Sequence, residues 1–368
     1  MAGVLEGLAG DGLFVGRAEG PDGPVVLRLA DGALSDVTCR EVPTVRDLLE
    51  LEDPAGWLRA ADGVPFEAGD RMLAPCDLQA VKACGVTFAK SMVERVIEER
   101  AAGDAGKAEE IRARVGELVG GRLRDLVPGS EAAAEVKAAL QGEGLWSQYL
   151  EVGIGPDAEV FSKCPPMAAV GTGAEIGLHP VSTWNNPEPE VVLAVNSRGD
   201  ILGATLGNDV NLRDVEGRSA LLLGKAKDNN ASAAIGPMIR LFDQGYSLDD
   251  VRQAEVRLTV TGEDGYVLQG FSSMAEISRD PADLVAQAIG PHHQYPDGMM
   301  LYLGTLFAPV EDRDAPGQGF THKIGDEVRI ESDGLGALVN RVRLSTDCAP
   351  WTVGAGALMR NLSGRGLL

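Results

Sequence analysis

Hydrophobic and polar positions divide the chain of 368 residues into three stretches with different patterns. Residues 1 to about 75 alternate short apolar runs with Gly, Pro and Asp, which predicts short strands and tight turns, with two short helices near 44–51 and 54–60. From 91 to about 140, apolar residues recur at three- and four-residue spacing, which predicts helices. Strands are expected again from about 145 to 350, with one helix at DPADLVAQAIG.

This succession of patterns predicts the fold class and the domains. The length suits two domains of roughly 100–200 residues each. We expect an α+β protein that is mostly β, with a small N-terminal α/β domain over 1–78 and a larger β-rich domain over 79–368. The helical stretch at about 90–145 is then an insertion in the larger domain.

Charge and composition narrow the classes of partner. The formal net charge of −22 argues against nucleic acid and anionic membranes. No apolar run approaches the roughly 18 residues of a membrane span, and the first residues lack the basic start of a signal peptide. The five cysteines show no paired metal-ligand spacing, so we expect reduced thiols in a cytoplasmic protein.

Two glutamates stand before an apolar run in the segment WNNPEPEVVLAV, residues 184–195. On a strand, Glu188 and Glu190 point to the same face. Arg198 and Gly199, which follow, suit a tight turn into the next apolar run, because Gly adopts the positive φ that such turns require. A turn centred there places three pairs opposite one another: Ser197 and Asp200, Glu190 and Gly207, and Glu188 and Asp209.

The carboxylates of Glu188, Glu190 and Asp209 are therefore expected on one face of a hairpin, about 5 Å apart where they are directly opposed. Such a cluster must take up protons or bind a cation. Oxygen ligands without His or Cys nearby favour Mg²⁺, Mn²⁺ or Ca²⁺ over Zn²⁺. Pro189 fits an edge strand or the start of a strand, where a site can open. The residues leave one alternative open, an acidic edge strand with solvated charges.

Other motifs carry less chemistry. The segment GTGAEIG lacks the glycine spacing and the Lys-Ser/Thr of a phosphate-binding loop, and no G-x-S-x-G elbow is present. The histidines show no H-x-x-x-H spacing, so we expect them to be structural. They are His179, His292, His293 and His322.

Several segments resemble the fumarylacetoacetate hydrolase family. They are EPEVVLAV (188–195), GNDVNLRDVEGRS (207–219), GKAKDNNASAAIGP (224–237), YLGTLFAP (302–309), IGDEVRIESDGLGALVNRV (324–342) and FSK (161–163). The resemblance implies a mixed β-roll catalytic domain, a helical lid formed by the insertion, and a homodimer or homotetramer.

The resemblance also implies roles for individual residues. As metal ligands it implies Glu188, Glu190 and Asp209, binding Mg²⁺ with Mn²⁺ or Ca²⁺ as alternatives. As substrate contacts it implies Arg213, Thr305, Gly304 and Lys90. As catalytic residues it implies Lys225, Glu94 and Ser91.

The similarity extends along nearly the whole chain to one branch of that family, the bacterial 2-keto-3-deoxy-D-xylonate dehydratases. It implies Mg²⁺-dependent dehydration of a 2-keto-3-deoxy sugar acid to 2-oxoglutarate semialdehyde in oxidative pentose catabolism. The family's hydrolases use a histidine and a glutamate to activate water, and here the stretch GVTFAKSMVE has Ser91 at the histidine position and retains Glu94. Serine cannot act as that base near neutral pH, which disfavours hydrolysis.

Several alternatives remain at this stage. One is an acylpyruvate-type C–C bond hydrolase on the same scaffold, and another is a non-catalytic, cation-binding β protein. Within the dehydratase hypothesis, Lys225 is the expected base at C3 and Glu94 the expected acid, although these two roles are interchangeable. The roles of Asp228 and Asn230 stay open.

Overall fold

The computed structural model describes most of the chain. The described residues are 5–8, 10–69, 71–88, 92, 113–114, 126–307, 309, 311–314 and 319–368. Helices are predicted from 91 to about 140, and most of this stretch up to residue 125 lies outside the described residues.

Fifteen β-strands are found among the described residues. In chain order they are β1 (Phe14–Gly20), β2 (Gly23–Ala30), β3 (Ala33–Asp36), β4 (Val64–Pro65), β5 (Ala80–Gly85), β6 (Glu159–Cys164), β7 (Glu175–Leu178), β8 (Pro189–Val195), β9 (Ile201–Asp209), β10 (Ala233–Leu241), β11 (Glu255–Thr261), β12 (Val267–Ser273), β13 (Met299–Tyr302), β14 (Glu327–Ser332) and β15 (Gly336–Leu344).

Nine α-helices accompany the strands in the described part of the chain. They are α1 (Val45–Glu50), α2 (Pro54–Ala60), α3 (Glu131–Gly142), α4 (Gln148–Ile154), α5 (Arg213–Glu216), α6 (Leu223–Lys227), α7 (Leu248–Arg252), α8 (Pro281–Ala288) and α9 (Ala355–Gly364). The helices predicted near 44–51 and 54–60 and in DPADLVAQAIG are confirmed as α1, α2 and α8. No described helix has the length and hydropathy to cross a membrane.

The strands form two mixed sheets. Ten lie in the order β4-β3-β2-β1-β10-β9-β8-β13-β5-β6, with antiparallel neighbours except for the parallel pair β13 and β5. The other five lie in the order β12-β11-β14-β15-β7, parallel only between β15 and β7. The prediction of an α+β protein that is mostly β is confirmed.

The centre of the ten-stranded sheet is buried on both faces. On one face, Val191 of β8 belongs to a core that includes Leu258 of the second sheet. On the other face, Val192 belongs to a core that includes Leu48 of α1. A strand covered on both faces needs a continuous apolar run, which explains the sequence VVLAV.

The predicted hairpin is formed by β8 and β9. Pro189 pairs with Asn208 and is the first residue of its strand, a position that tolerates the missing N–H. Glu190 pairs with Gly207, as the turn position predicts. The turn itself contains Gly199 with φ of +86°, so the predicted use of glycine there is confirmed.

The register changes by one residue near the turn. Val195 pairs with Ile201, which leaves Leu202 as an extra residue in β9. The predicted pairing of Ser197 with Asp200 is therefore wrong, and the carbonyl oxygen of Asp200 accepts a hydrogen bond from the backbone N–H of Asn196 at 3.1 Å. Because the bulge adds one residue to β9, the pairs beyond it have the predicted register, which includes Glu190 opposite Gly207.

The N-terminal strands continue the sheet of the larger part of the chain, because β1 pairs with β10. The pairing joins Phe14 to Arg240 and Val15 to Ile239. The division at residue 78 into a small domain and a larger one stays a prediction.

Candidate functional site

Three carboxylates meet at the end of the β8–β9 hairpin. One oxygen from each of Glu188, Glu190 and Asp209 lies within 4.8 Å of the others, and all three side chains are buried. The backbone N–H of Asp209 donates to the carbonyl oxygen of Glu188 at 3.0 Å, which fixes the two ends of the hairpin beside each other. The predicted convergence of these carboxylates is confirmed.

The residue opposite Glu190 must be small. A Cβ atom added to Gly207 would lie 2.3 Å from the ring of Tyr302 and 2.5 Å from the side chain of Val192. Glycine therefore lets the Tyr302 ring pack directly against the hairpin beneath the carboxylates. The Tyr302 hydroxyl donates to the carbonyl oxygen of Ala234 at 2.7 Å, so this ring is held by a hydrogen bond as well as by packing.

Gly304 supports Glu190 through its backbone. Strand β13 pairs with β8, so the residues that follow β13 arrive beside Glu190. The backbone N–H of Gly304 donates to Glu190 Oε2 at 2.6 Å. Gly304 has φ of +89°, and an added Cβ would lie 2.1 Å from the Thr87 hydroxyl, so both conformation and space require glycine. This residue, predicted as a substrate contact, orients a carboxylate in the structure.

Lys163 enters the cluster from a β-bulge. Val81 pairs with Cys164 and Lys82 with Ser162, which leaves Lys163 as the extra residue of β6. Its fully buried ammonium group lies 2.7 Å from Asp209 Oδ1 and donates to the carbonyl oxygen of Val210 at 3.1 Å. Bulges often redirect a side chain in this way beside functional sites.

The lysine that reaches the carboxylates from α6 is Lys227, and the prediction for Lys225 is corrected. Lys227 Nζ pairs with Glu188 Oε2 and lies 3.0 Å from Asp209 Oδ2. Lys225 is exposed on the same helix. Residues two positions apart on a helix are separated by about 200° of rotation, so the side chains of Lys225 and Lys227 point in nearly opposite directions.

Within the described part of the chain, the cluster contains more carboxylates than ammonium groups. Burial raises the pKa of Asp209, but the charges of Lys163 and Lys227 outweigh burial and hold that pKa below its usual range. No lysine or arginine of the described residues pairs with Glu190 in this way. Burial, together with the charges of Asp209 and Glu188, raises the pKa of Glu190 well above its usual range.

The residues present therefore fit a divalent cation. Three buried carboxylates face only two ammonium groups, those of Lys163 and Lys227, within the described part of the chain. Carboxylate oxygens are the ligands that Mg²⁺ takes, usually with water or substrate completing its coordination. Glu188, Glu190 and Asp209 are the residues that would hold it.

Two asparagines hold Glu188 in place. Asn211 Nδ2 donates to Glu188 Oε1 at 3.1 Å and to Glu216 Oε2 at 2.6 Å, so one amide connects two carboxylates. Asn208 Oδ1 accepts from the backbone N–H of Glu188 at 3.1 Å. Both asparagines are buried, and this support of the cluster was not predicted from the sequence.

Arg213 and Thr305, both predicted as substrate contacts, lie on segments adjacent to the cluster. Arg213 begins α5, four residues after Asp209, with its guanidinium over the Trp184 ring. Thr305 follows Gly304, and its hydroxyl oxygen accepts from the backbone N–H of Phe307 at 3.1 Å.

The predicted site residues Lys90, Ser91 and Glu94 lie outside the described residues. Asp228 and Asn230, whose roles the sequence left open, are described. Asp228 is an exposed residue that follows α6. Asn230 donates to the carbonyl oxygens of Ser345 at 3.0 Å and Ala349 at 3.2 Å, which indicates a structural role.

The fold and the site together define a β-rich protein with a buried oxygen-ligand site for a divalent cation. Residues 155–343 match the family model described as "Fumarylacetoacetate (FAA) hydrolase C-terminal", and the chain belongs to this family. The resemblance inferred from the sequence motifs is thereby confirmed.

Two curated relatives carry names that specify an activity. The probable 2-keto-3-deoxyxylonate dehydratase of Haloferax volcanii is 30% identical over 213 residues, 58% of this chain and 68% of that protein. The 2-dehydro-3-deoxy-D-arabinonate dehydratase of Saccharolobus solfataricus is 30% identical over 188 residues, 50% of this chain and 58% of that protein.

A solved structure of similar fold is described as 2-keto-3-deoxy-D-arabinonate dehydratase complexed with magnesium and 2,5-dioxopentanoate. The match has a TM-score of 0.62 and 20% identity, and it covers 90% of this chain and 98% of that one. At this identity the likeness establishes the fold alone.

Proposed function

We propose that the protein is a Mg²⁺-dependent dehydratase that converts 2-keto-3-deoxy-D-xylonate or -arabinonate to 2-oxoglutarate semialdehyde (2,5-dioxopentanoate). The observation that carries the proposal is the buried cluster of Glu188, Glu190 and Asp209 beside two lysines. The names of the two curated relatives, both dehydratases of such acids, support the choice of reaction.

The chemistry of the substrate matches a site of this kind. The adjacent carboxylate and ketone of a 2-keto acid chelate a cation, and bound Mg²⁺ would polarise the ketone and favour loss of a C3 proton. The hydroxyl at C4 is β to the ketone, so it can then leave. Transfer of a C5 proton to C3 then gives an enol across C4 and C5, and loss of its hydroxyl proton with protonation of C4 gives the terminal aldehyde.

Arg213 is the proposed anchor of the substrate carboxylate. A guanidinium offers two parallel donors to a carboxylate, which fixes the orientation of the bound acid. Thr305 and Lys90 are retained as proposed substrate contacts from the family resemblance. Thr305 lies next to Gly304, whose N–H supports Glu190.

Lys227 takes the proton-transfer role that the sequence assigned to Lys225. Burial lowers the pKa of Lys227, but Asp209 and Glu188 outweigh burial and raise it above its usual range. Lys227 therefore carries a proton, and we assign to it the protonation of the departing hydroxyl, which leaves as water. Glu94 is then the proposed acceptor of the C3 proton, and Ser91 a hydrogen-bonding contact of the substrate.

We also propose a cellular location and an assembly state. All five cysteines are free in the structure, as is usual in a reducing compartment, and we propose a cytoplasmic enzyme of pentose catabolism. A homodimer or homotetramer is proposed from the family resemblance alone.

Product analysis tests the proposed reaction. The Mg²⁺-loaded protein is incubated with 2-keto-3-deoxy-D-xylonate and, separately, -arabinonate, and the products are identified by mass spectrometry and NMR. We expect 2-oxoglutarate semialdehyde from at least one substrate. Pyruvate and glycolaldehyde would instead show C–C bond cleavage and would refute the dehydratase proposal.

A further inference from the structure

The Trp184 ring stacks on the guanidinium of Arg213. The Arg213 Cζ atom lies 4.4 Å from the centre of this ring, within the range of a cation–π contact. Trp184 is 40% exposed, so part of its ring faces solvent. Its indole Nε1–H donates to the carbonyl oxygen of Phe320 at 3.0 Å, which fixes the plane of the ring.

The backbone around Trp184 is tied to the helix that carries Arg213. The backbone N–H of Asp214 donates to the Trp184 carbonyl oxygen at 3.2 Å. The Asp214 carboxylate accepts in turn from the Ser182 hydroxyl at 2.7 Å and the Thr183 backbone N–H at 2.8 Å. These bonds hold the ring and the guanidinium on two segments that cannot separate easily.

Arg213 has a further contact that limits its motion. Its Nη1 donates to the carbonyl oxygen of Pro309 at 3.3 Å. A long side chain held by an aromatic face and a carbonyl oxygen has fewer rotamers to lose when it binds an anion. The guanidinium is therefore prepared for a carboxylate before the ligand arrives.

We propose that Trp184 is a positioning residue, which acts through Arg213 to fix the carboxylate of a bound 2-oxo acid. The inference rests on the proposed role of Arg213 as the carboxylate anchor. This role explains why a partly exposed indole, that of Trp184, lies four residues before the first metal ligand, Glu188. Trp184 itself need not touch the reacting atoms.

Pyruvate is a suitable probe, because it carries the carboxylate and ketone without being turned over by dehydration. Its binding to the Mg²⁺-loaded full-length protein is measured by calorimetry. Trp184→Leu, which removes the aromatic face, is expected to weaken pyruvate binding about 3- to 30-fold, the range of a cation–π contact. Trp184→Phe keeps an aromatic face and is expected to stay within about threefold of the wild type.

A double-mutant cycle shows whether Trp184 acts through Arg213. If it does, the variant with both Trp184→Leu and Arg213→Met binds pyruvate no more weakly than Arg213→Met alone. Independent, additive losses would overturn the proposal, as would unchanged binding in Trp184→Leu or the absence of pyruvate binding to the wild type. None of these measurements requires turnover, so they stand apart from the outcome of the product analysis.

Two controls separate positioning from a general loss of structure. Pyruvamide has the ketone but no carboxylate, so its binding should change less than twofold in Trp184→Leu. Trp57 donates its indole N–H to Glu41 on a different part of the surface, at 3.0 Å. Trp57→Leu should leave pyruvate binding unchanged, and an equal loss in this variant would contradict the proposal.

Discussion

Two lysines of the short helix α6 have opposite surroundings. Lys227 is buried against Glu188 and Asp209. Lys225 is exposed, and its carbonyl oxygen accepts a hydrogen bond from Asn229 Nδ2 at 2.9 Å. The chemistry proposed for this helix therefore depends on a single side chain.

Lys227→Met is expected to lower kcat at least 100-fold, because general acid–base groups commonly contribute that much. Lys225→Met is the matched control and should retain nearly full activity. Turnover and Mg²⁺ binding are measured on both variants, since removing this buried ammonium also removes a positive charge that lies between Glu188 and Asp209. Inactivity of Lys225→Met together with an active Lys227→Met would contradict the assignment.

The sequence predicted the three carboxylates of the metal site more accurately than the side chains that surround them. Glu188, Glu190 and Asp209 were placed together because strand periodicity and one turn determine which side chains share a face. Choosing between Lys225 and Lys227 required the orientation of a five-residue helix, which no local pattern in GKAKDNNASAAIGP specifies.

At the scale of elements, two irregular features complete the site. The bulge in β6 directs Lys163 to Asp209, and the pairing of β13 with β8 brings Gly304 to Glu190. Neither arrangement follows from a local pattern, because a bulge leaves no reliable sequence pattern and β13 is more than 100 residues from β8 in the chain. The family resemblance did place Gly304 at the site, as a substrate contact. The match of FSK to the family motif was the one signal that pointed to Lys163.

A buried ion pair connects Arg313 to Asp326, the residue that precedes β14. Arg313 and Asp326 are each 1% exposed, with Nη1 2.6 Å from Oδ2 and Nη2 2.8 Å from Oδ1. His322 Nδ1 lies 3.2 Å from the same Oδ2. Removing Asp326 takes the buried carboxylate away from Arg313 and leaves it the partly exposed Asp264, whose Oδ1 lies 3.2 Å from Nη2.

Asp326→Asn is expected to lower the free energy of unfolding by about 3–5 kcal/mol at pH 7. Burial raises the pKa of Asp326, but hydrogen bonds from Arg313 and His322 outweigh burial and hold it well below the ordinary value of 3.8. The folded state thus favours the ionised form, so this stabilisation is complete above about pH 4 to 5 and is lost as the pH falls further.

Urea denaturation at several pH values checks this expectation. The difference in free energy of unfolding between wild type and Asp326→Asn should be constant from pH 7 to about 5 and should become smaller towards pH 3. Asp347→Asn, at an exposed aspartate, is the control, and its free energy of unfolding should equal that of the wild type at each pH. A gap that widens on acidification would show that Asp326 is not stabilised as a carboxylate.

At the scale of the whole molecule, the metal site lies at the start of a strand that is packed on both faces. Strand β8 is covered by the second sheet on one face and by α1 on the other, so its first residues have little freedom to move. The β-rich character was predictable from alternating apolar runs. The joining of N-terminal and later strands into one sheet was not, because pairing between β1 and β10 spans more than 200 residues.

The central claim is that Glu188, Glu190 and Asp209 form a divalent-cation site that the enzyme needs. Calorimetric titration of the metal-free protein with Mg²⁺, followed by activity assays at each metal concentration, tests it most directly. We predict one ion per chain, with Glu190→Gln weakening binding at least tenfold and Glu175→Gln, at the partly buried first residue of β7, leaving it unchanged. Absence of Mg²⁺ and Mn²⁺ binding, with full activity in a chelator, would contradict the claim.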